Sequence, residues 1–286
     1  MNIGNLPNTQ YFPISGGIYC YHKCTKENWE EPKMPYHRHD AYEIFLFMKG
    51  YTSNYVEHAC YHLAHGDILI INPNELHRVV SLDNQVYERA FININKNVIE
   101  NLSTDNTNLM ECFKANFQGE RKIIRLTSDQ INQFVKLIHY VEHYFQSQEY
   151  GSDVLINAHL TQLLVMINLA YKGTAYTAPN VMSELIRDTM LFIKEHIEEP
   201  IYLEKLSKQF CLSSTLISRE FKKYTGLTLR TYILGERIAH SKNLLLEGKN
   251  VSDACYLSGF SDYANYIRSF TKIVGIPPGQ YKKVMT

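Results

Sequence analysis

The chain has 286 residues, 45% of them hydrophobic and 20% charged, and its 29 basic residues balance 29 acidic ones. This composition builds globular cores and excludes a disordered chain, while the length predicts two domains rather than one. No apolar run approaches the roughly 20 residues that span a bilayer. The longest, Leu163 to Ile167, stops at Asn168, and Met1-Asn2-Ile3-Gly4-Asn5 lacks the features of a secretion signal. Six cysteines scattered without a C-x-x-C pair read as reduced thiols, so a cytoplasmic protein is expected.

From about Tyr11 to Ile94 the chain reads as short strands. Tyr42 to Met48 is rich in aromatic and branched side chains and ends at Gly50. His65-Gly66-Asp67 leads into Ile68-Leu69-Ile70-Ile71, which stops at Asn72-Pro73-Asn74. Strands broken at Gly, Pro and Asn with no helical pattern between them predict an all-β sandwich or barrel over 1–125. The period then changes. Ile131, Phe134, Ile138, Val141 and Phe145 step by three and four residues, as do Ile156, Leu160, Leu163, Ile167 and Ala170. They predict a helical hairpin over 126–173, turning at Tyr150-Gly151-Ser152, whose stripes suit either the barrel or a dimer seam. Residues 174–182 read as a linker, and helical patterns fill 183–286.

The strands carry a candidate site. On one strand His37, His39 and Glu43 share parity and point to the same face. His77 on another strand completes a set of three histidines and a carboxylate, a donor set that suits a first-row transition metal. His37-Arg38-His39…Glu43, with Gly50 further on, resembles the first motif of cupins, and Gly66-Asp67…Pro73…His77 resembles the second. That second motif is irregular, with one extra residue before Pro73 and His77 one residue early. The resemblance implies a cupin-like barrel, and in a free-standing cupin the set would imply a metal-dependent enzyme. The preferred reading is a sensor cavity without a cofactor, walled by His37, His39, Glu43 and His77 with Arg38, Tyr21 and Arg78 nearby. Those groups suit a polar, polyhydroxylated small molecule, because each hydroxyl can find a partner.

The last part of the chain differs in charge. Residues 201–286 hold 13 Lys and Arg against 6 Asp and Glu, leaving 16 against 23 for the rest. A basic tail on an acidic body points to a polyanion. The tail is also duplicated. Arg219, Phe221, Lys223, Gly226 and Tyr232 recur 49 residues on as Arg268, Phe270, Lys272, Gly275 and Tyr281, and Leu212-Ser213 recurs 48 on as Phe260-Ser261. Each copy reads as helix, tight turn, helix, over about 203–224 and 251–274, with Ser213 and Ser261 or Asp262 as helix caps. Burying Leu216, Ile217 and Phe221 turns Ser214, Thr215, Ser218 and Arg219 outward. The second copy likewise exposes Tyr263, Ala264, Asn265 and Arg268, residue types that suit base edges and phosphates. Thr228 to about Leu246 predicts one connecting helix.

Ile201 to Lys283 resembles the double helix-turn-helix domain of the AraC/XylS family of bacterial transcription regulators. The residues carrying the resemblance are Leu212-Ser213-Ser214…Ser218-Arg219-Glu220-Phe221…Gly226 and Gly259-Phe260-Ser261-Asp262…Arg268-Ser269-Phe270…Gly275-Ile276-Pro277-Pro278…Tyr281. It implies that the eight outward residues named above read DNA. Cys211 departs from the pattern by replacing a turn glycine, as do Ala264 and Thr271 at positions often polar or basic. The expectation is a multidomain, sequence-specific DNA-binding transcription regulator, homodimeric and controlled by a polar effector, with a sugar or derivative favoured by the resemblance. RNA polymerase would be a partner of an activator, and no membrane is involved. The alternative is a metal-dependent cupin enzyme fused to a helical targeting or assembly domain.

Overall fold

The computed structural model describes residues 17–25, 36–82, 86–114, 122–147 and 149–285. Tyr11, where strand character was expected to begin, lies outside them. The strands are β1 (Ile18–Thr25), β2 (Tyr42–Lys49), β3 (Thr52–Val56), β4 (Ala59–Tyr61), β5 (Asp67–Ile71), β6 (His77–Ser81) and β7 (Tyr87–Ile94). Two short helices follow, α1 (Lys96–Leu102) and α2 (Glu111–Lys114), then β8 (Lys122–Arg125), α3 (Ser128–Ser147), α4 (Ser152–Thr174) and β9 (Ala175–Thr177). An antiparallel sheet in the order β1-β7-β2-β5-β8-β9 faces a second in the order β4-β3-β6.

Period-two alternation explains why β2 reads as a continuous apolar run: both of its faces are covered. Tyr42, Ile44 and Leu46 share a core with Ile68, Ile70 and Ile92 and with Phe134, Leu160 and Leu163 of α3 and α4. Phe45 and Phe47 point the other way and pack with Val56, Tyr61, Leu69 and Ile71 between the sheets. The hairpin stripes therefore pack on the barrel. Ile131, Phe134, Ile138 and Val141 are buried there, whereas Phe145, at the fraying end of the stripe, is 45% exposed.

By length and composition α4 is apolar enough to cross a bilayer, although no unbroken apolar run suggested it. Its Leu160, Leu163, Leu164, Ile167 and Ala170 are buried against α3 and the sheet. Asn168 is tolerated inside because its amide accepts from the Cys112 N–H and donates to the Leu109 and Leu164 carbonyls. The expected linker begins as structure. Residues 175–177 form β9 on the edge of β8, where Tyr176 donates to the fully buried Asp67 carboxylate.

The rest is helical: α5 (Glu184–Glu195), α6 (Leu203–Phe210), α7 (Ser214–Thr225), α8 (Leu229–Leu246), α9 (Val251–Leu257), α10 (Tyr263–Val274) and α11 (Pro278–Met285). The second unit has its own core of Ala254, Cys255, Phe260, Tyr266 and Phe270. The first does not. Its Ile193, Leu206, Ile217, Phe221 and Tyr232 share a core with Tyr36, Cys60 and Leu76 of the barrel. Each such buried side chain contributes roughly 1.5–3 kcal/mol, so barrel and first unit form a continuous body.

Candidate nucleic-acid interface and barrel site

The two helix-turn-helix units are built alike. Both second helices are capped by side chains: Ser213 Oγ accepts from the Leu216 N–H at 3.2 Å, and the Asp262 carboxylate accepts from the Asn265 N–H. Both end at a left-handed glycine, Gly226 or Gly275. The turns before them also correspond. Cys211 adopts φ +54° and Gly259 φ +85°, so the departure at Cys211 keeps the glycine conformation despite its side chain. Gly259 is required for a second reason: a Cβ there would lie 2.2 Å from the Ile197 carbonyl oxygen.

With Ile217, Phe221, Tyr266 and Phe270 buried, the opposite faces are free. Thr215, Arg219, Tyr263, Ala264, Asn265 and Arg268 are exposed, while Ser214 and Ser218 are half-buried. Among the described residues Arg219 pairs with the neighbouring Glu220, at 3.3 Å. Helix α8 joins the units: Leu229 and Tyr232 enter the first core, and Ile238, Leu244 and Leu245 enter the second. Its 18 residues make it about 27 Å long.

The barrel brings His37, His39, Glu43 and His77 together, all buried. His37 and His77 form a backbone bridge with reciprocal N–H to carbonyl bonds of 3.0 Å, and their rings lie 4.2 Å apart. His39 Nδ1 donates to the Ala41 carbonyl at 2.9 Å, and its Nε2 lies 2.9 Å from Glu43 Oε2. His77 Nδ1 donates to the Glu75 carbonyl at 2.9 Å, and its Nε2 lies 3.7 Å from the same carboxylate oxygen. Burial pushes the Glu43 carboxyl up, but the flanking His39 and His77 outweigh it and hold it well below the usual carboxylate range. The ligand atoms of His39, Glu43 and His77 lie within 4.8 Å of one another and could hold a metal ion.

Tyr21 also belongs to the inner wall. Its hydroxyl accepts from Arg89, whose guanidinium lies 5.6 Å from the Tyr21 ring and 4.4 Å from that of Tyr87. Arg89 was missed in the sequence because a single arginine on a strand carries no parity signal of its own.

Arg38 and Arg78 are elsewhere. Each alternates with a site histidine on an extended segment, so each faces away from the cluster. Arg38 is buried against α8, where it donates to Glu236 and, at 3.2 Å, to the Asn74 carbonyl. Arg78 lies over the Tyr36 and Tyr55 rings and donates to the Tyr224 and Thr225 carbonyls at the end of α7. Beside them Lys242 of α8 donates to Asp40 and to the Asn74 side chain. Burial pulls the Lys242 ammonium down to about 8 against the opposing pull of Asp40. Burial also raises the Glu236 carboxyl despite Arg38, whereas Arg38 and Lys194 hold the buried Glu57 carboxyl below its ordinary value. A cleft of about 1260 Å³ opens on this side, between the barrel and α5 and α8, lined by Arg38, Glu57, Asn72, Lys194, Glu236 and His240 among others.

Glu236, Lys242 and the Asp40 that faces Lys242 were not found by sequence reasoning, and Arg38 was placed in the wrong site. A signal existed: both charges occupy stripe positions of α8, in step with Leu229, Tyr232 and Ala239.

Comparison with known proteins places both halves. The family model for an AraC-like ligand binding domain matches residues 16–164, and that for a helix-turn-helix domain matches 206–283. The HTH-type transcriptional activator RhaR of Salmonella schwarzengrund (strain CVM19633) is 24% identical over 260 residues, covering 86% of each chain. RhaR of Escherichia coli O139:H28 is 22% identical over 248 residues with the same coverage. Among solved structures, ToxT from Vibrio cholerae O395 aligns over 94% of this chain and 98% of its own at 14% identity, with a TM-score of 0.39. With the ligand-binding model spanning more than half of the sequence and the duplicated tail matched beside it, the chain belongs to the AraC/XylS family of DNA-binding transcription regulators.

Proposed function

We propose that this regulator recognises specific operator DNA through α7 and α10, under the control of a polar small molecule taken up by the barrel. The observation that carries the reading is the duplication itself. Two helices capped by side chains at the same position bury matching faces and leave matching faces open, on a common helix that also receives the barrel. Arg219 and Arg268 are the proposed base or phosphate contacts, supported by Ser214, Thr215, Ser218, Tyr263, Ala264 and Asn265. His37, His39, Glu43, His77 and Tyr21 form the proposed effector wall, a set that suits hydroxyl-rich ligands such as a sugar or its derivative.

In the cytoplasm the protein would act as a homodimer. Support comes from the outer face of α4, where Val154, Leu155, Val165 and Leu169 stay exposed although the rest of the helix is core. The two units spaced along α8 would then meet paired half-sites. The relatives are named as activators, which favours RNA polymerase as a further partner. An effector can shift such a system only by binding one arrangement of barrel and helices better than another. The test is selection of source-genome fragments on the purified full chain, with washes at rising salt. Enrichment of paired half-sites beside a few operons is expected; uniform binding lost in salt would reduce the reading to electrostatic attraction.

A further inference from the structure

One end of the barrel's inner wall holds positive charge with nothing to balance it. In β7, Ala90 and Ile92 are buried in the core beneath α3 and α4, so Arg89, Phe91 and Asn93, which alternate with them, look inward. In β1, Ile18 and Cys20 pack against that same core, so Tyr19, Tyr21 and Lys23 look inward too. The strand register sets Lys23 directly opposite Arg89. Like charges in that position destabilise a sheet unless an anion lies against them. Among the described residues neither cation has a carboxylate partner: Glu88 turns to the other face and pairs with His22, and Glu43 is taken by His39. Arg89 spends one guanidinium nitrogen on the Tyr21 hydroxyl, at 3.2 Å, and its Nη1 is buried with no hydrogen-bond partner among the described residues. A buried donor left unmet is costly, the more so when it is charged.

The other end of the wall is short of donors. Asn93 lies opposite Glu43 in the register, and its Oδ1 is buried with no hydrogen-bond partner among the described residues. His77 Nε2 is in the same condition. A carbonyl only accepts, so the proton of a neutral His77 ring sits on Nδ1, facing the Glu75 carbonyl, and Nε2 can only accept. Between the two ends runs an aromatic shelf, with the Tyr21 and Phe91 ring centroids 4.1 Å apart and those of Tyr19 and Phe91 5.8 Å apart. An unmet cationic donor at one end and unmet acceptors at the other are complementary to one kind of molecule. It is anionic at one end, carries hydroxyl groups at the other, and has a C–H face to lie on the rings.

We propose that the barrel takes a hydroxylated ligand bearing an anionic group, a carboxylate or phosphate as in a sugar acid or sugar phosphate, with that group held by Arg89 and Lys23 and its hydroxyls donated to Asn93 and His77. The guanidinium is the side chain best shaped for such an oxyanion, because its donors are fixed in a planar fork. A neutral sugar offers Nη1 a hydroxyl oxygen but leaves the two facing cations without a counterion. Within the regulator reading above, on which this ligand class rests, the effector is then an acid or phosphate ester rather than a neutral sugar.

Titration calorimetry on the full chain compares galacturonate, digalacturonate, glucuronate and glucose 6-phosphate with galactose and glucose, at matched ionic strength. At least one anionic member should bind saturably, and its neutral counterpart about 10-fold more weakly or worse; the uronate and phosphate arms tell the two anions apart. A hydrogen bond to a charged group is worth about 10–100-fold in affinity. Arg89→Gln should lose that much for the anionic ligand and little for a neutral one, and Arg89→Lys, which keeps the charge without the fork, should recover part of it. Lys23→Gln should lose less, because that side chain is exposed. If Arg89→Gln fails to fold, as judged by circular dichroism, Lys23→Gln and the wild-type comparison of acid with neutral sugar still decide. Equal binding of an acid and its neutral counterpart, or full binding of the acid by Arg89→Gln, overturns the ligand class. Binding of neutral sugars alone overturns it too, and leaves the barrel standing as the effector site. Operator selection by a chain that binds no member of either series removes the ligand class and spares the DNA-binding reading, while charge-dependent binding without operator selection does the reverse.

Discussion

Replacing Glu236 with Ala tests whether the barrel and the DNA-binding half are held together by buried charge. Removing one member of a buried ion pair typically costs about 3–5 kcal/mol, because the other charge is left desolvated and alone. The cost here should be smaller. Arg38 keeps its bond to the Asn74 carbonyl at 3.2 Å, and the charge of Glu57 still acts on it. Glu57 is the carboxylate held ionised, whereas burial raises Glu236. A loss of about 2–3 kcal/mol follows. Urea denaturation monitored by circular dichroism measures it, and Glu236→Leu and Arg38→Met as single variants complete a double-mutant cycle with Arg38→Met/Glu236→Leu. The double variant removes both members of the pair and leaves Glu57 to Lys194 and the Leu76 N–H, so it should recover to within about 2 kcal/mol of wild type. A cost below about 0.5 kcal/mol for Glu236→Ala would refute the reasoning, as would a double variant equal to the sum of the singles.

Arg219→Ala and Arg268→Ala should each lose about 1–3 kcal/mol of affinity for a selected operator fragment. Their melting temperatures should stay unchanged, since both side chains are exposed; unaltered affinity and sequence preference in both would remove α7 and α10 as readers. The turn residues predict opposite effects at matching positions. Gly259→Ala places a Cβ on the Ile197 carbonyl at positive φ and should destabilise by about 2 kcal/mol or more. Cys211→Gly relieves a side chain held at φ +54° and should stabilise by about 0.5–1 kcal/mol. Thermal denaturation compares the two, and equal shifts of one sign would contradict the matched geometry. Val165→Glu/Leu169→Glu should convert a dimer to a monomer in light scattering without unfolding α4, because both side chains face outward. An unchanged mass would move the dimer seam elsewhere.

What could be read from the sequence depended on whether a pattern had one physical solution. End glycines and buried aromatics recur at 48 and 49 residues, a pattern that two matched helix-turn-helix units satisfy and that a plain two-layer bundle would leave without a reason to repeat. His37, His39 and Glu43 do reach one site, but not as alternate positions of one strand, because a bend at Asp40-Ala41 separates the His37 bridge from β2, which begins at Tyr42. Parity assigns Arg38 and Arg78 to the opposite face, yet nearness in sequence suggested they line the same pocket; alternation is the stronger rule on extended backbone. The stripes of α3 and α4 were ambiguous because a heptad-like seam states that a face is covered without saying by what. Phe145 falls outside the cover, and the exposed Val165 and Leu169 lie on a face the stripe did not include. The join between barrel and helices was hidden for a related reason. Tyr36, Cys60 and Leu76 look like ordinary barrel residues, and only their partners on α5 to α8 show that the core continues. Helix α8 did carry the evidence. A charge at a buried stripe position implies a buried countercharge from another element, and Glu236 and Lys242 both occupied such positions. Searching for their partners would have led to Arg38 and Asp40, and so to the segment that bears His39 on its other face.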